Sequence, residues 1–295
     1  MVSIATARRT SLLLVTMAVG PTTALVAQAP AVAADSFTTT VEFPVQGVTL
    51  RARIHVAQGP GPHPTIVEFK GFQQGQGWVA PRAQAEGYNG VSLDFRGQNG
   101  SGGRYAPDYT IADAAALLAV LRTDRARREW RVDPARLVVV GTSAGTLAAL
   151  TTLADDAAVA CGGAIVPFNW GAAGMMARGD SGIRRQFEAI VAGVDPERVR
   201  PEGGLVSRVA DRAEAINVGA AAERLAGKVV FLAGARRDET APLLLHFQPL
   251  VATARRSGAV SVRDTIVDDT HNMPDTYQSV LDALYRWIRS DCLAR

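Results

Sequence analysis

Short runs of hydrophobic residues recur along the chain from Thr38 onward, and most of them are rich in strand-forming residues. The first two, at 38–43 and 48–56, alternate apolar and polar positions, as strands with one solvated face do. The next six are continuous runs of strand-forming residues, which are typical of strands buried on both faces of a parallel sheet. They lie at 65–69, 91–95, 137–140, 163–166, 229–233 and 260–267. The pattern therefore predicts an opening antiparallel pair followed by parallel strands.

Helix-like stretches separate these runs, at 80–86, 111–128, 144–154, 242–257 and 276–290. Alternation of strands and helices predicts an α/β fold with a doubly wound sheet and right-handed crossovers. Residues 169–224 interrupt the rhythm, because no clear strand occurs there. We interpret them as a helical insertion over the carboxyl edge of the sheet, where such sheets bind ligands.

The N-terminal segment has the parts of a secretory signal peptide. Arg8 and Arg9 precede an apolar stretch at 12–19, and an Ala-rich segment ends at Ala34. We expect cleavage near Ala34 and a secreted mature domain at 35–295. The paired arginines leave a twin-arginine export route open, and a plain N-terminal tail is the other alternative. No later segment has about 18 uninterrupted apolar residues, so we expect no membrane span in the mature chain.

The distribution of charge and the spacing of potential metal ligands argue against several classes of function. The chain has 31 basic and 28 acidic residues, a net charge of +3, and its arginines alternate with acidic residues instead of clustering. This distribution argues against a nucleic-acid partner. The two cysteines and four histidines lack the spacing of metal ligands, so we expect no metal and no cofactor. Three histidines, His55, His63 and His246, are interpreted as structural or solvated.

The sharpest chemical signal is the pentapeptide Gly-Thr-Ser-Ala-Gly at 141–145. It follows the apolar run at 137–140 and opens a helical stretch. A strand-to-helix turn this tight strains the backbone at Ser143 and presents its hydroxyl above the sheet, as in a nucleophile elbow. The alternative is an ordinary turn in which Ser143 only caps the helix.

With this motif the sequence resembles the α/β-hydrolase superfamily. The glycine-rich stretch at 94–103, Asp-Phe-Arg-Gly-Gln-Asn-Gly-Ser-Gly-Gly, resembles a loop of its prolyl-oligopeptidase-like and acetyl-xylan-esterase-like branch. The resemblance implies a mostly parallel eight-stranded sheet with helices on both faces and a short helical insertion over the carboxyl edge. In that fold Cys161 and Cys292 both lie away from the active site, so a disulfide between them is compatible with the implied fold, as are two free thiols.

The family orders its triad as nucleophile, acid and histidine. Asp238 follows the run at 229–233 and precedes Pro242, and His271 follows the run at 260–267, so the resemblance implies that they are the acid and the base. Glu239 is the substitute acid. In these roles His271 takes the proton of the Ser143 hydroxyl, and the carboxylate holds the imidazole tautomer.

Acyl transfer also needs donors for the developing oxyanion. By resemblance we expect the backbone amides of Ala144 and Phe72, with Gln73 as the alternative to Phe72, because Lys70 stands where many members have histidine. Trp170 and Met175, at the start of the insertion, are predicted to bind substrate.

These observations predict a secreted serine hydrolase that cleaves small carboxylic esters through an acyl-enzyme. A serine peptidase acting on short peptides is one alternative, and a non-catalytic binding protein on the same fold is another. Peptidases of the resembled branch use a tyrosine hydroxyl near the third strand, where this sequence has Phe69, and carry an N-terminal propeller that we do not find here. Both differences favour ester hydrolysis.

Overall fold

The computed structural model of the protein describes residues 35–294; the predicted signal peptide at 1–34 lies outside them. Eight strands occur within the described range. They are β1 (Phe37–Val45), β2 (Val48–Val56), β3 (His63–Phe69), β4 (Asn89–Asp94), β5 (Val132–Thr142), β6 (Cys161–Ile165), β7 (Val229–Ala235) and β8 (Ser261–Val267). All eight predicted apolar runs are therefore strands, with bounds shifted by a few residues.

Ten α-helices connect or flank these strands within the same range. They are α1 (Val79–Ala85), α2 (Tyr109–Leu121), α3 (Asp124–Glu129), α4 (Thr146–Asp155), α5 (Trp170–Gly179), α6 (Ser181–Ala192), α7 (Leu205–Asp211), α8 (Val218–Ala222), α9 (Gln248–Arg256) and α10 (Tyr277–Trp287). A single turn of 3-10 helix at Ser143–Gly145 precedes α4.

The strands form one sheet in the order β1-β2-β4-β3-β5-β6-β7-β8. β2 pairs antiparallel with both β1 and β4, and every later pairing is parallel. The predicted fold class, a mostly parallel eight-stranded sheet with helices, is confirmed. Because β3 and β5 to β8 run in one direction, the loops that follow them share the carboxyl edge of the sheet.

Hydrophobic cores lie on both faces of the sheet, since successive residues of a buried strand point to opposite sides. Val139 in β5 packs into one core together with residues of α2, α4, α8 and α9. Its neighbours Val138 and Val140 pack into the other core with residues of α1 and α10. Burial on both faces explains the strand-forming runs of β5, β6 and β7. β8 differs from the prediction: it lies at the edge of the sheet, and its residues are only half-buried or exposed.

Two predicted helices differ from the structure. The stretch at 242–257 is helical only from Gln248, and the preceding residues form turns. Pro249 lacks an N–H and fits an α-helix without strain only in its first turn, so the helix begins beside it. The stretch at 111–128 divides into α2 and α3, because the Thr123 hydroxyl accepts the Ala126 N–H at 3.2 Å and starts a new helix.

Residues 169–224 contain four helices, α5 to α8, and none of the eight strands of the sheet. Asn169 starts the segment by accepting the N–H groups of Gly171 and Ala172, at 3.0 and 3.2 Å. This cap fixes where α5 begins, directly after the loop that follows β6.

A disulfide joins Cys161, the first residue of β6, to Cys292, with the two Cα atoms 5.7 Å apart. It lies at the amino end of β6, away from the carboxyl edge. The sequence separation is 131 residues, and closing a loop of that size contributes about 5 kcal/mol to stability through the lost chain entropy of the unfolded state. No helix within residues 35–294 has the length and apolar character that a membrane crossing requires.

Candidate active site

Ser143 occupies the sharp turn between β5 and α4. Its φ is +50°, a left-handed conformation that strains a non-glycine residue. Backbone atoms pack closely against the two glycines, Gly141 and Gly145, that flank this turn. A Cβ on Gly141 would lie 2.6 Å from the carbonyl oxygen of Gly145, and a Cβ on Gly145 would lie 2.0 Å from that of Phe69. The glycines of the pentapeptide are therefore required by packing, and the turn presents Ser143 at the carboxyl edge of the sheet.

Gly145→Ala is expected to destabilise the protein by about 3 kcal/mol or more, because the new methyl group meets the backbone of β3 and no side chain is there to move away. Urea unfolding followed by circular dichroism measures the change. Gly179→Ala is the matched control: it is also a helix glycine, but no atom lies within 4 Å of its added Cβ. We expect the control to keep or slightly raise stability. Equal stabilities for both variants would contradict the packing argument.

Asp238 and His271 meet Ser143 from two neighbouring strands. Asp238 follows β7 and His271 follows β8. His271 Nδ1 lies 2.7 Å from Asp238 Oδ2, and His271 Nε2 lies 2.8 Å from Ser143 Oγ. The other carboxylate oxygen of Asp238 accepts the Ala241 N–H at 2.7 Å, which fixes the orientation of the carboxylate. The three side chains thus form one continuous chain of hydrogen bonds from carboxylate to hydroxyl.

The neighbouring acids have other surroundings. Glu239 is exposed and lies at the rim of a cavity instead of against His271. Asp269 is buried and accepts the N–H groups of Asp275 and Thr276, both at 3.0 Å, so it holds the loop that carries His271. Asp238 is therefore the carboxylate that contacts the imidazole.

The two expected oxyanion donors lie beside Ser143. A Cβ added to Gly71 would be 3.3 Å from Ser143 Cβ, so the loop at residues 70–75, called here the donor loop, packs directly on the serine. The Phe72 N–H has no backbone acceptor among the loop hydrogen bonds of residues 35–294. The Ala144 N–H belongs to the first turn of a helix, where amides lack intrahelical partners. Both residues line the same cavity as Ser143.

Polar side chains fix the position of the donor loop through hydrogen bonds to its backbone. Lys70 is buried, donates to the carbonyl oxygen of Gly75 at 2.7 Å and forms an ion pair with Asp94. Gln98 donates to the carbonyl oxygen of Gly71 at 3.3 Å. These bonds fix the loop that carries the Phe72 amide, and a fixed donor stabilises developing charge without reorganising. Lys70, the departure from the resembled family, thus has a structural role here.

Two cavities meet at Ser143 and His271. The first, about 500 Å³ and called here the apolar cavity, lies between the donor loop and the helical insertion. Its wall is mostly apolar and includes Phe72, Phe168, Trp170, Met176, Phe187 and Leu245. The second, about 660 Å³ and called here the polar cleft, is lined by groups such as Gln73, Gln74, Gln76, Asp195, Arg198 and Asn272.

Of the two predicted substrate-binding residues, the structure places one in the apolar cavity. Trp170 is buried in its wall and donates through Nε1 to the carbonyl oxygen of Ala144 at 3.3 Å. Met175 is 42% exposed and does not line the cavity, whereas Met176 does. Successive residues of a helix point about 100° apart, so only one of the two methionines can face inward.

His246, interpreted from the sequence as structural or solvated, is a wall residue of the apolar cavity. It is 5% exposed, lines the apolar cavity and stacks on Phe168 with ring centroids 4.8 Å apart. Burial lowers the pKa of its imidazole to about 4. No local motif marks it, because its partners Phe168 and Asn169 are about 77 positions away in the sequence. Within residues 35–294, no three His, Cys, Asp or Glu side chains are grouped to hold a metal ion.

Comparisons with known proteins agree with the fold. The model of a family described as "Alpha/beta hydrolase family" matches residues 68–289. Esterase Pf2001 of Pyrococcus furiosus has a TM-score of 0.60 at 21% identity, covering 86% of this chain and 92% of the esterase. Acylaminoacyl peptidase of Pyrococcus horikoshii has a TM-score of 0.66 at 14% identity, covering 86% of this chain but 41% of the peptidase. A puromycin hydrolase has a TM-score of 0.59 at 16% identity, covering 80% of this chain and 36% of the puromycin hydrolase. Among curated proteins, none matches the chain significantly.

Proposed function

The chain belongs to the alpha/beta hydrolase family, and on that basis we propose that it is a serine hydrolase that cleaves small carboxylic esters through an acyl-enzyme. The observation that carries the proposal is the chain of hydrogen bonds from Asp238 through His271 to Ser143, at 2.7 and 2.8 Å. A serine hydroxyl is a weak nucleophile until an adjacent base takes its proton. The geometry supplies that base at hydrogen-bond distance.

In the proposed reaction, Ser143 Oγ attacks the ester carbonyl carbon while its proton passes to His271 Nε2. The Asp238 carboxylate stabilises the resulting imidazolium through Nδ1. The Phe72 and Ala144 amides donate to the oxyanion of the tetrahedral intermediate. When the intermediate collapses, His271 returns the proton to the departing alcohol oxygen. Water then attacks the acyl-enzyme with His271 as base, releasing the carboxylic acid and restoring the Ser143 hydroxyl.

The two cavities suit the two halves of an ester. Phe72, Ser143 and His271 line both cavities. Ala144 lines only the apolar cavity of the two, so we assign the apolar cavity to the acyl chain. The polar cleft reaches Asn272, next to the histidine that protonates the leaving oxygen, so we assign it to the alcohol. A wall built from aromatic and aliphatic side chains favours an acyl chain of several carbons.

The residue at the end of β3 supports peptide hydrolysis less well than ester hydrolysis. Phe69 is fully buried and stacks on Phe95 with ring centroids 5.9 Å apart, so this position offers no hydroxyl to a substrate. The resembled peptidases use a tyrosine hydroxyl near this strand. The likenesses to the acylaminoacyl peptidase and to the esterase both extend to the fold alone, so neither decides between the two reactions.

We propose that the protein acts outside the cytoplasm. The disulfide between Cys161 and Cys292 is of a kind that persists mainly in oxidising compartments. The basic, apolar and small-residue segments within 1–34 have the order of an export signal.

A substrate panel tests the reaction. We expect the purified protein to hydrolyse p-nitrophenyl esters of two to ten carbons with a kcat/KM at least about 100-fold above that for aminoacyl p-nitroanilides. The optimum should lie at a medium chain length because the apolar cavity is about 500 Å³. Faster release from the anilides would favour the peptidase, and a folded protein inactive on both classes would favour a binding role.

A further inference from the structure

The imidazole of His246 is fixed in one tautomer within the wall of the apolar cavity. Its Nδ1 accepts the backbone N–H of Asn169 at 2.9 Å. An amide N–H can only donate, so Nδ1 carries no proton and the ring hydrogen lies on Nε2. The low pKa that burial gives His246 agrees with a neutral ring.

The same contacts hold the ring rigidly. Asn169 is fixed by the capping bonds of its own side chain to Gly171 and Ala172. One face of the His246 ring stacks on Phe168, with an interplanar angle of 19°. The direction of the Nε2–H bond is therefore set before any substrate arrives, and a preoriented donor loses little entropy when it binds an acceptor.

The Nε2–H group has no hydrogen-bond partner among the described residues. The Nε2 atom is not completely enclosed by protein atoms, so it is accessible from the cavity that His246 lines. The surrounding wall, with Trp170 and Met176, is mostly apolar, although Gln186, Glu239 and Thr240 also line it. A donor in such surroundings is costly when it lacks an acceptor, and a ligand oxygen that reaches it gains a hydrogen bond.

We propose that His246 is a specificity residue of the acyl pocket, whose Nε2–H donates a hydrogen bond to an oxygen carried on the acyl chain. The preferred substrates are then esters whose acyl group contains an ether or carbonyl oxygen, in preference to plain alkanoates of the same length. This inference rests on the proposed ester hydrolysis and on the assignment of the apolar cavity to the acyl chain.

The test compares p-nitrophenyl hexanoate with its three analogues in which oxygen replaces the methylene at position 3, 4 or 5. Each kcat/KM is divided by the rate of hydroxide hydrolysis of the same ester, which removes differences in intrinsic reactivity. We expect at least one oxygen-containing ester to exceed hexanoate by about five- to tenfold, the contribution of one hydrogen bond.

Two variants separate the pocket donor from the structural bond to Asn169. In His246→Asn, the side-chain oxygen can still accept the Asn169 N–H, but no donor reaches the former Nε2 position. In His246→Gln, an amide N–H can reach that position. We expect the preference for the oxygen-containing ester to disappear in the asparagine variant and to persist in part in the glutamine variant.

The outcomes are distinguishable. Equal normalised rates for all four esters in the unaltered protein would overturn the role of His246 and leave ester hydrolysis standing. A preference that the asparagine variant keeps would overturn it as well. Absence of turnover with every ester, hexanoate included, would instead overturn the proposed function itself. The comparison within the unaltered protein decides the inference even where a variant fails to fold.

Discussion

Ser143→Ala is expected to reduce kcat/KM for p-nitrophenyl ester hydrolysis by about 10⁴-fold or more, leaving only the contribution of binding and the oxyanion donors. The methyl group cannot attack the carbonyl carbon, and the Oγ to His271 Nε2 contact of 2.8 Å is lost. Steady-state kinetics and labelling with a fluorophosphonate read by intact mass measure the effect. One adduct on the unaltered protein and none on the variant is the expected pair of results.

The control for this substitution is Ser279→Ala. Ser279 is an exposed serine whose hydroxyl donates to the carbonyl oxygen of Thr276, far along the chain from the elbow. This variant should keep both turnover and labelling. Combining Ser143→Ala with His271→Ala should lower the rate little beyond the single change, because the two residues act as one unit. A folded, unaltered protein that takes up no fluorophosphonate would rule out an activated serine.

Asp238→Asn is expected to lower kcat by about 10³- to 10⁴-fold while the protein stays folded. The Ala241 N–H donates to Asp238 Oδ1, so the asparagine must place its oxygen there and turn its NH₂ group toward His271. Facing that donor, Nδ1 becomes the acceptor and the ring proton moves to Nε2. The imidazole then cannot take the proton of Ser143.

Glu239→Gln is the matched control, since it makes the same chemical change at the next residue. Glu239 is exposed and has no contact with His271 among the hydrogen bonds of residues 35–294, so kcat should change less than about twofold. Steady-state kinetics for both variants, with circular dichroism to verify folding, measure the difference. A large loss with Glu239→Gln and a small one with Asp238→Asn would assign the acid to Glu239.

Local sequence pattern is sufficient to predict elements whose burial is uniform. The runs at 137–140 and 229–233 are apolar throughout because both faces of β5 and β7 are covered, and that signal needs no partner to be recognised. It fails at element ends. Thr123 divides a predicted helix and Pro249 delays another, because capping and a missing N–H decide the start of a helix within one or two residues.

The sequence by itself determined the order of strands and helices, the elbow at Ser143, and the positions after two later strands where Asp238 and His271 stand. The order of the elements follows from apolar periodicity along the chain, and the elbow from glycines that flank a serine between a predicted strand and a predicted helix. The two later positions follow from the resemblance to the α/β-hydrolase superfamily. The tertiary structure alone decided which acid contacts the imidazole, that Met176 and not Met175 faces inward, and that His246 enters the cavity wall. Each of these depends on the relative placement of segments distant in sequence, and on rotations of about 100° per helical residue that no local pattern specifies.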